Sequence, residues 1–184
     1  MSKREHILNV AEALFNEHGY TAVGVDLIRD TALVSKTSMY RHFGSKNLLI
    51  EAVLERRHQR WEDSLTSAMA AVEASATAAD ERLDILLNWH FDWFKQADFN
   101  GCMFMHAQAE FKGTDQAISG KAIRHKAWLK SMLANVVDPT LPDLQWRTES
   151  LMTLIEGMIV RAEFGELVGA EGAYRRAARA LLTA

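Results

Sequence analysis

The sequence predicts an all-α fold of about nine helices, three short ones leading into a long one and then a carboxy-terminal helical bundle. Apolar residues recur at three- and four-residue intervals along most of the chain, and no segment shows convincing strand alternation. Good helix formers (Ala, Leu, Glu, Arg) are plentiful. The only two prolines, Pro139 and Pro142, mark a single loop.

Ile7, Val10, Ala11, Leu14 and Phe15 share one helical face, and Gly19 follows as a left-handed stop, so residues 3–18 form the first helix. Val25, Ile28 and Ala32 define a short second helix ending near Leu33, with Asp26 where a negative charge suits the helix dipole. Ser35 caps a third over 36–43, and Ser45 caps a fourth that starts at Lys46 and continues through Leu48, Leu49, Ala52 and Val53. The Ala/Ser/Thr-rich stretch from Ala74 to Ala79 weakens the pattern and marks a bend, after which Asp80 is expected to cap a helix that is apolar nearly all round from Leu83 to Phe94. Gly101 opens another through Phe111, and Thr114 or Asp115 caps a long one carrying Ile118, Ala122, Trp128, Leu129, Met132 and Leu133. Asp143 is expected to cap a helix over 143–168, and Gly169 separates it from a last helix over 171–183.

Charge is unevenly spread. Residues 1–60 carry nine Lys/Arg against seven Asp/Glu, whereas the remainder carries 12 against 17. Within the first part, the stretch Thr31–Ile50 holds Lys36, Arg41, Lys46 and His42 with no acidic residue, which favours a polyanion. No charge-free apolar run approaches the roughly 18 residues of a membrane span, and no signal-peptide core follows the amino terminus, so a cytoplasmic location is expected. The single cysteine, Cys102, excludes an internal disulfide and a zinc cluster. Glu55 and His58 form one Glu-x-x-His, but a ferritin-like di-metal site needs two. His106 and Glu110 share a helix face, and neither a phosphate-cradling Gly-rich loop nor a strand-borne nucleophile is present. The reading is therefore not an enzyme, with no catalytic residue, metal or cofactor.

In a helix-turn-helix the second helix lies in the major groove with its amino-terminal residues at the base edges, which calls for short polar or basic side chains there and apolar ones behind. Residues 35–43 meet that demand. Ser35, Lys36, Thr37 and Ser38 occupy the cap and first turn, Met39 and Phe43 point inward one turn apart, and Tyr40, Arg41, His42 and Lys46 can reach phosphates.

Phe15, Gly19-Tyr20, Val25, Ile28, Ala32, Val34-Ser35-Lys36, Tyr40-Arg41-His42-Phe43, Ser45-Lys46 and Leu48-Leu49 together resemble the DNA-binding signature of the TetR (tetracycline repressor) family in order and spacing. The resemblance covers about residues 7–50. It implies a helix-turn-helix DNA-binding domain over 1–48, and a helical ligand-binding and dimerisation domain over 49–184. It further implies a homodimer on a palindromic operator of double-stranded DNA, acting as a ligand-responsive repressor. Lys36, Thr37 and Ser38 become base readers, and Tyr40, His42 and Lys46 phosphate contacts. Four positions depart from the family pattern: Val23 and Gly24 stand for hydroxyl residues, Arg29 for a small residue, and Leu33 for the turn Gly. Leu33 is the one with a backbone consequence, since a left-handed conformation without Gly costs about 1 kcal/mol.

Aromatics and methionines concentrate between residues 89 and 158. Trp89, Trp93, Met105, His106, Trp128, Met132 and Met158 are the candidate ligand-binding residues for a small hydrophobic or aromatic effector, with His90, Gln108 and His125 as further polar handles. Core packing accounts for the same composition. Dimerisation is placed on the last two long helices, where Ala162, Gly165, Ala170, Ala173, Ala177 and Ala178 permit close approach. The alternative reading is a helical small-molecule-binding or adaptor protein without operator binding, which the departures at Gly24, Arg29 and Leu33 motivate.

Overall fold

The computed structural model describes residues 1–70, 72, 78–167 and 169–182. Among the described residues the chain is all helical: α1 Lys3–His18, α2 Val25–Ala32, α3 Lys36–Phe43, α4 Lys46–Ala70, α5 Ala78–Phe94, α6 Met103–Phe111, α7 Gln116–Ala134, α8 Leu144–Glu163 and α9 Glu171–Leu182. None of these helices is long and apolar enough to cross a membrane. Residues 74–77 of the expected bend, and Thr183 at the expected end of the last helix, lie outside the described residues. The chain divides into two compact units, residues 1–60 with 102–125, and residues 61–101 with 126–184.

The first unit holds α1 to α3, the beginning of α4, α6 and most of α7. Ile7, Leu8, Ala11 and Phe15 of α1, Ile28 of α2, Met39 and Phe43 of α3, and Leu49, Ile50 and Val53 of α4 are all buried. These are the apolar positions that the periodicity selects, so hydrophobic burial fixes which face of each helix turns inward. The Ser2, Ser35 and Ser45 hydroxyls accept from the amides of Glu5, Ser38 and Leu48, each at 3.1 Å, and start α1, α3 and α4. Between α2 and α3, Leu33 adopts φ 53, ψ 43, the left-handed conformation. Its amide bonds back to Asp30 O, and that of Val34 to Arg29 O, so the tight turn is kept without the usual glycine. With 91% of its surface exposed, Leu33 gains no packing to offset the strain.

Burial alone does not hold α1 to α4. Glu12 on α1 is only 7% exposed and is shared by Arg56 (2.6 Å), Arg57 (3.2 Å) and Arg60 of α4. Arg56 also donates to Asn9 Oδ1 at 2.7 Å. Burial raises the Glu12 pKa, but the hydrogen bond from Arg56 and the charges of Arg60, Arg57 and Arg56 outweigh it, and the carboxyl stays below its ordinary range.

The second unit packs α5 against α8 and α9, and α8 against α9. Leu83, Leu86, Leu87 and Phe91 of α5, Leu151, Ile155, Met158 and Ile159 of α8, and Ala178 and Leu182 of α9 are buried. Trp61 at the start of this unit lies edge-on to Trp89 and Trp93, with ring centroids 4.5 and 4.6 Å away. Arg147, 7% exposed, donates to the carbonyls of Pro142 (2.9 Å) and Leu181 (2.7 Å), tying the start of α8 to the end of α9.

Several expected details are corrected here. Asp80 lies inside the first turn of α5, because the helix already begins at Ala78. Asp143 does sit at the N-cap of α8, but in the left-handed region and without a side-chain cap bond. The α8 helix ends at Glu163, short of residue 168, because Gly165 at φ 72 accepts the left-handed turn first. Ala178 faces its own core and is unavailable to a partner.

Two stability changes follow. Glu12→Gln leaves three cations around a neutral amide and should cost about 2–4 kcal/mol in urea denaturation. A carboxyl whose folded pKa is depressed stabilises the fold above its unfolded pKa of about 4.5 and loses that contribution as pH falls through the folded value. The stability profile of Glu12→Gln below pH 5 should therefore be flatter than that of the parent chain. Leu33→Gly relieves the left-handed strain at an exposed site and should raise stability by about 0.5–1 kcal/mol, read as an increased denaturation midpoint.

Candidate nucleic-acid interface and ligand cleft

The expected DNA-contacting residues come together on the first unit, along α3 and at the start of α4. Lys36 and Thr37 are exposed in the first turn of α3, Ser38 is half-buried behind them, and Ser35 is committed to the cap. Met39 and Phe43 turn inward at 1% and 7% exposure, which leaves Tyr40, Arg41 and His42 outward. Lys36 Nζ lies 3.5 Å from Asp26, and Asp26 also takes Arg29 at 3.2 Å, so the Lys36 ammonium is held between α2 and α3 by an exposed ion pair that a competing anion or acceptor can displace.

Lys46 opens α4 and is half-buried. Its Nζ donates to Thr21 O at 3.4 Å. Burial lowers its pKa from the usual lysine value, and Glu110 opposes the shift. The amino ends of α3 and α4 add their helix dipoles to these cations, so the face presents positive potential together with hydroxyl and amide donors. Such a combination suits a phosphate backbone and base edges.

Two residues absent from the sequence-based site hold this face in place. Tyr20 is fully buried, with its hydroxyl donating to Met103 O at 3.0 Å. Burial pushes its phenol pKa well above the usual value, Arg57 opposing. Glu110, on α6, accepts from the backbone amides of Tyr20 (3.0 Å) and Thr21 (2.6 Å) in the turn that joins α1 to α2. Its pKa is raised by burial and lowered more by these hydrogen bonds, so the carboxylate is favoured. Asn47 donates to Asp115 (2.8 Å) and Lys121 to Glu55 (2.6 Å), adding two more ties between α4 and the α6–α7 segment. The sequence paired Glu110 with His106 as helical neighbours. Its actual partners lie some ninety residues away in the chain, and the only local sign of them is a Gly19-Tyr20-Thr21 turn with amides that no neighbouring side chain caps.

The Glu-x-x-His pair is absorbed by similar contacts. Glu55 carries Lys121, and His58 Nδ1 lies 3.2 Å from Nδ1 of His125, whose ring stacks on Phe104 with centroids 3.6 Å apart.

The seven ligand candidates are divided between the two units. Met105 and His106 stand on α6 in the first unit, whereas Trp89, Trp93, Trp128, Met132 and Met158 belong to the second. Met158 is wholly buried and Trp93 is 6% exposed within the tryptophan cluster, where Trp89 donates to Ser64 Oγ at 2.9 Å. His90, also a polar handle, is fully buried. Its Nδ1 contacts Leu86 O at 2.8 Å, and since a carbonyl only accepts, that nitrogen carries the proton. Burial holds the imidazole pKa down at about 4, the Leu86 hydrogen bond opposing, so His90 is neutral near pH 7. Met132 is the one candidate that lines a cleft of about 540 Å³, bounded by the end of α4, the start of α5, and the end of α7 with the loop after it.

Residues 7–53 match the family model described as "Bacterial regulatory proteins, tetR family". Among curated proteins, the HTH-type transcriptional activator FasR of Mycolicibacterium smegmatis is 37% identical over 93 residues, covering 50% of this chain and 41% of that protein. The HTH-type transcriptional repressor NemR of Escherichia coli is 35% identical over 72 residues, covering 39% of this chain and 36% of its own. The chain thus matches less than half the length of either relative. Among solved structures, a TetR-family transcriptional regulator from Streptomyces coelicolor superposes with a TM-score of 0.83 at 24% identity, over 98% of this chain and 94% of the other. The all-α fold with an amino-terminal helix-turn-helix is therefore shared along the whole chain.

Glu110→Ala removes a charged acceptor from two backbone amides. Hydrogen exchange at Tyr20 and Thr21 should accelerate about tenfold or more, while amides of α8 and α9 stay unchanged.

Proposed function

We propose that this chain, whose residues 7–53 belong to the tetR family of bacterial regulatory proteins, is a sequence-specific DNA-binding transcriptional regulator that holds a palindromic operator as a dimer and lets go when a small molecule binds. The observation that carries the reading is the face of α3 and α4. Lys36, Thr37, Tyr40, Arg41 and His42 are exposed on an element whose opposite side, Met39 and Phe43, is locked into the core. Residues 1–48 are the proposed DNA-binding domain and 49–184 the ligand-binding and dimerisation domain.

The reading assigns base contacts to Lys36, Thr37 and Ser38, with Ser35 holding their helix, and phosphate contacts to Tyr40, Arg41, His42 and Lys46. Two copies pair through α8 and α9. Trp146 on α8 and Phe164 at its C-cap are 58% and 76% exposed, and Ala173 and Ala177 of α9 are exposed small residues that permit close approach. A hydrophobic or aromatic effector is drawn from the set Trp89, Trp93, Met105, His106, Trp128, Met132 and Met158. By stabilising a dimer whose recognition helices no longer match successive major grooves, it releases the DNA. The proposed outcome is repression, relieved by the effector, on DNA in the cytoplasm.

An adaptor without DNA binding is the second reading, and the departures at Gly24, Arg29 and Leu33 favour it. Against it, Gly24 still provides an extended N-cap for α2, Leu33 accepts the left-handed turn, and Arg29 is taken up by Asp26 and Asp30 (2.7 Å). The turn and the orientation of α3 are kept.

Operator selection from a palindromic DNA library tests the proposal. Lys36→Ala should relax sequence preference and cost about 1–3 kcal/mol at the selected site, whereas Lys46→Ala should weaken all sequences alike and reduce the salt slope by about 1. Absence of any selected sequence, or identical behaviour of Lys36→Ala and the parent chain, supports the adaptor reading instead.

A further inference from the structure

We propose that the cleft at the end of α4 is an effector site for an amphipathic anion, a single carboxylate or similar acid group on an apolar body. This inference rests on the ligand-responsive reading above and specifies its ligand. The cleft encloses about 540 Å³, within the range of roughly 300–1,000 Å³ typical of small-molecule sites. Its walls are Met69 and Ala70 of α4, Met132 and Ala134 of α7, and Val136, Val137 and Pro139 beyond, and Val136 and Val137 are themselves buried at 1% and 2% exposure. Methionines on two sides let such a wall adapt to a flexible apolar chain.

Among the described lining residues one carries a charge, Arg82 in the second turn of α5, and none is acidic. Of the nearby acids on that helix, Asp80 and Glu81 are not among the lining residues, and Asp84, two positions along on a different face, is engaged there by Arg179 at 2.8 Å and Arg175 at 3.6 Å of α9. It does not compete for Arg82 from within the cleft. A guanidinium at the edge of a low-polarity cavity selects a planar acid, which it can hold by two parallel N–H···O bonds. Thr66 and Asn135, the other polar lining side chains, add hydrogen bonds beside that head. An amine or quaternary ammonium would meet that cation and, among the described lining residues, no anion, and a polyhydroxylated ligand would bury hydroxyls against methionine and valine. The tryptophan cluster offers less room, because Trp61, Trp89 and Trp93 already fill it ring to ring.

The test uses the full chain and three probes of matched length, decanoate, 1-decanol and decyltrimethylammonium, all below their aggregation thresholds, with binding read by titration calorimetry. Decanoate should bind one per chain and more tightly than either other probe. Arg82→Gln should weaken decanoate at least about tenfold while leaving decanol unchanged, the effect of one charged hydrogen-bonding partner. Equal binding of decanoate and decanol, an unaltered Arg82→Gln, or no decanoate binding at all overturns the inference. Operator binding is measured on the same ligand-free samples. A chain that selects an operator but ignores decanoate loses only this ligand assignment, whereas a chain that takes decanoate and selects no DNA keeps the site and loses the regulator reading.

Discussion

A carboxylate buried to 7% exposure costs more than it contributes unless its charge is met, and Glu12 is met by three guanidiniums on one helix. That single cluster decides how α1 lies on α4, and the rest of the amino-terminal unit depends on it. Apolar contact between α1 and α4 is non-directional and would tolerate sliding. A carboxylate reached from Arg56, Arg57 and Arg60 fixes both the rotation and the register of the two helices. With α1 set, the turn at Gly19 delivers α2, the left-handed Leu33 delivers α3, and the reading face emerges at a defined angle to the start of α4.

The second constraint comes from the far side of the sequence. Tyr20 and Glu110 bind the α1–α2 turn to α6, Asn47 of α4 reaches Asp115 before α7, and Lys121 of α7 reaches Glu55 of α4. The compact unit that carries the exposed α3–α4 face therefore includes residues 102–125, well beyond α1 to α3. Both α4 and α7 continue unbroken into the second unit, so any strain imposed on those two helices there has a covalent route to the α3–α4 face. This is where the regulator reading gains a mechanism: a two-state shift of α4 or α7 can change the presentation of α3 without touching it.

The helices were legible because their physics is local. Serine caps, a glycine stop and three- or four-residue apolar spacing gave α1 to α3 and the start of α4 within a residue, and the basic run from Lys36 to Lys46 marked the exposed face. What stayed hidden was set by distant partners. Nothing near Glu110 announces that it will accept amides of Tyr20 and Thr21, and nothing near Glu12 names the three arginines. The end of α8 was misjudged between two glycines, since sequence alone does not say which of Gly165 and Gly169 turns first. The ligand candidates illustrate the same limit: composition marks an aromatic and methionine-rich region, but Met158 and Trp93 serve the core while Arg82, an unremarkable helix residue in sequence, faces the cleft.

The central claim is that two copies of the chain present α3 to successive major grooves. Spin labels at position 33, introduced as Leu33→Cys in the turn before α3, where the side chain is 91% exposed and is assigned no DNA contact, with native Cys102 only 1% exposed, report that geometry through their dipolar distance on a selected palindromic operator. The account predicts a narrow distribution near one helical turn of DNA, roughly 34–36 Å, broadening or shifting when effector is added. A sample with no dipolar signal on DNA, or a distance that fits no groove repeat, would contradict it.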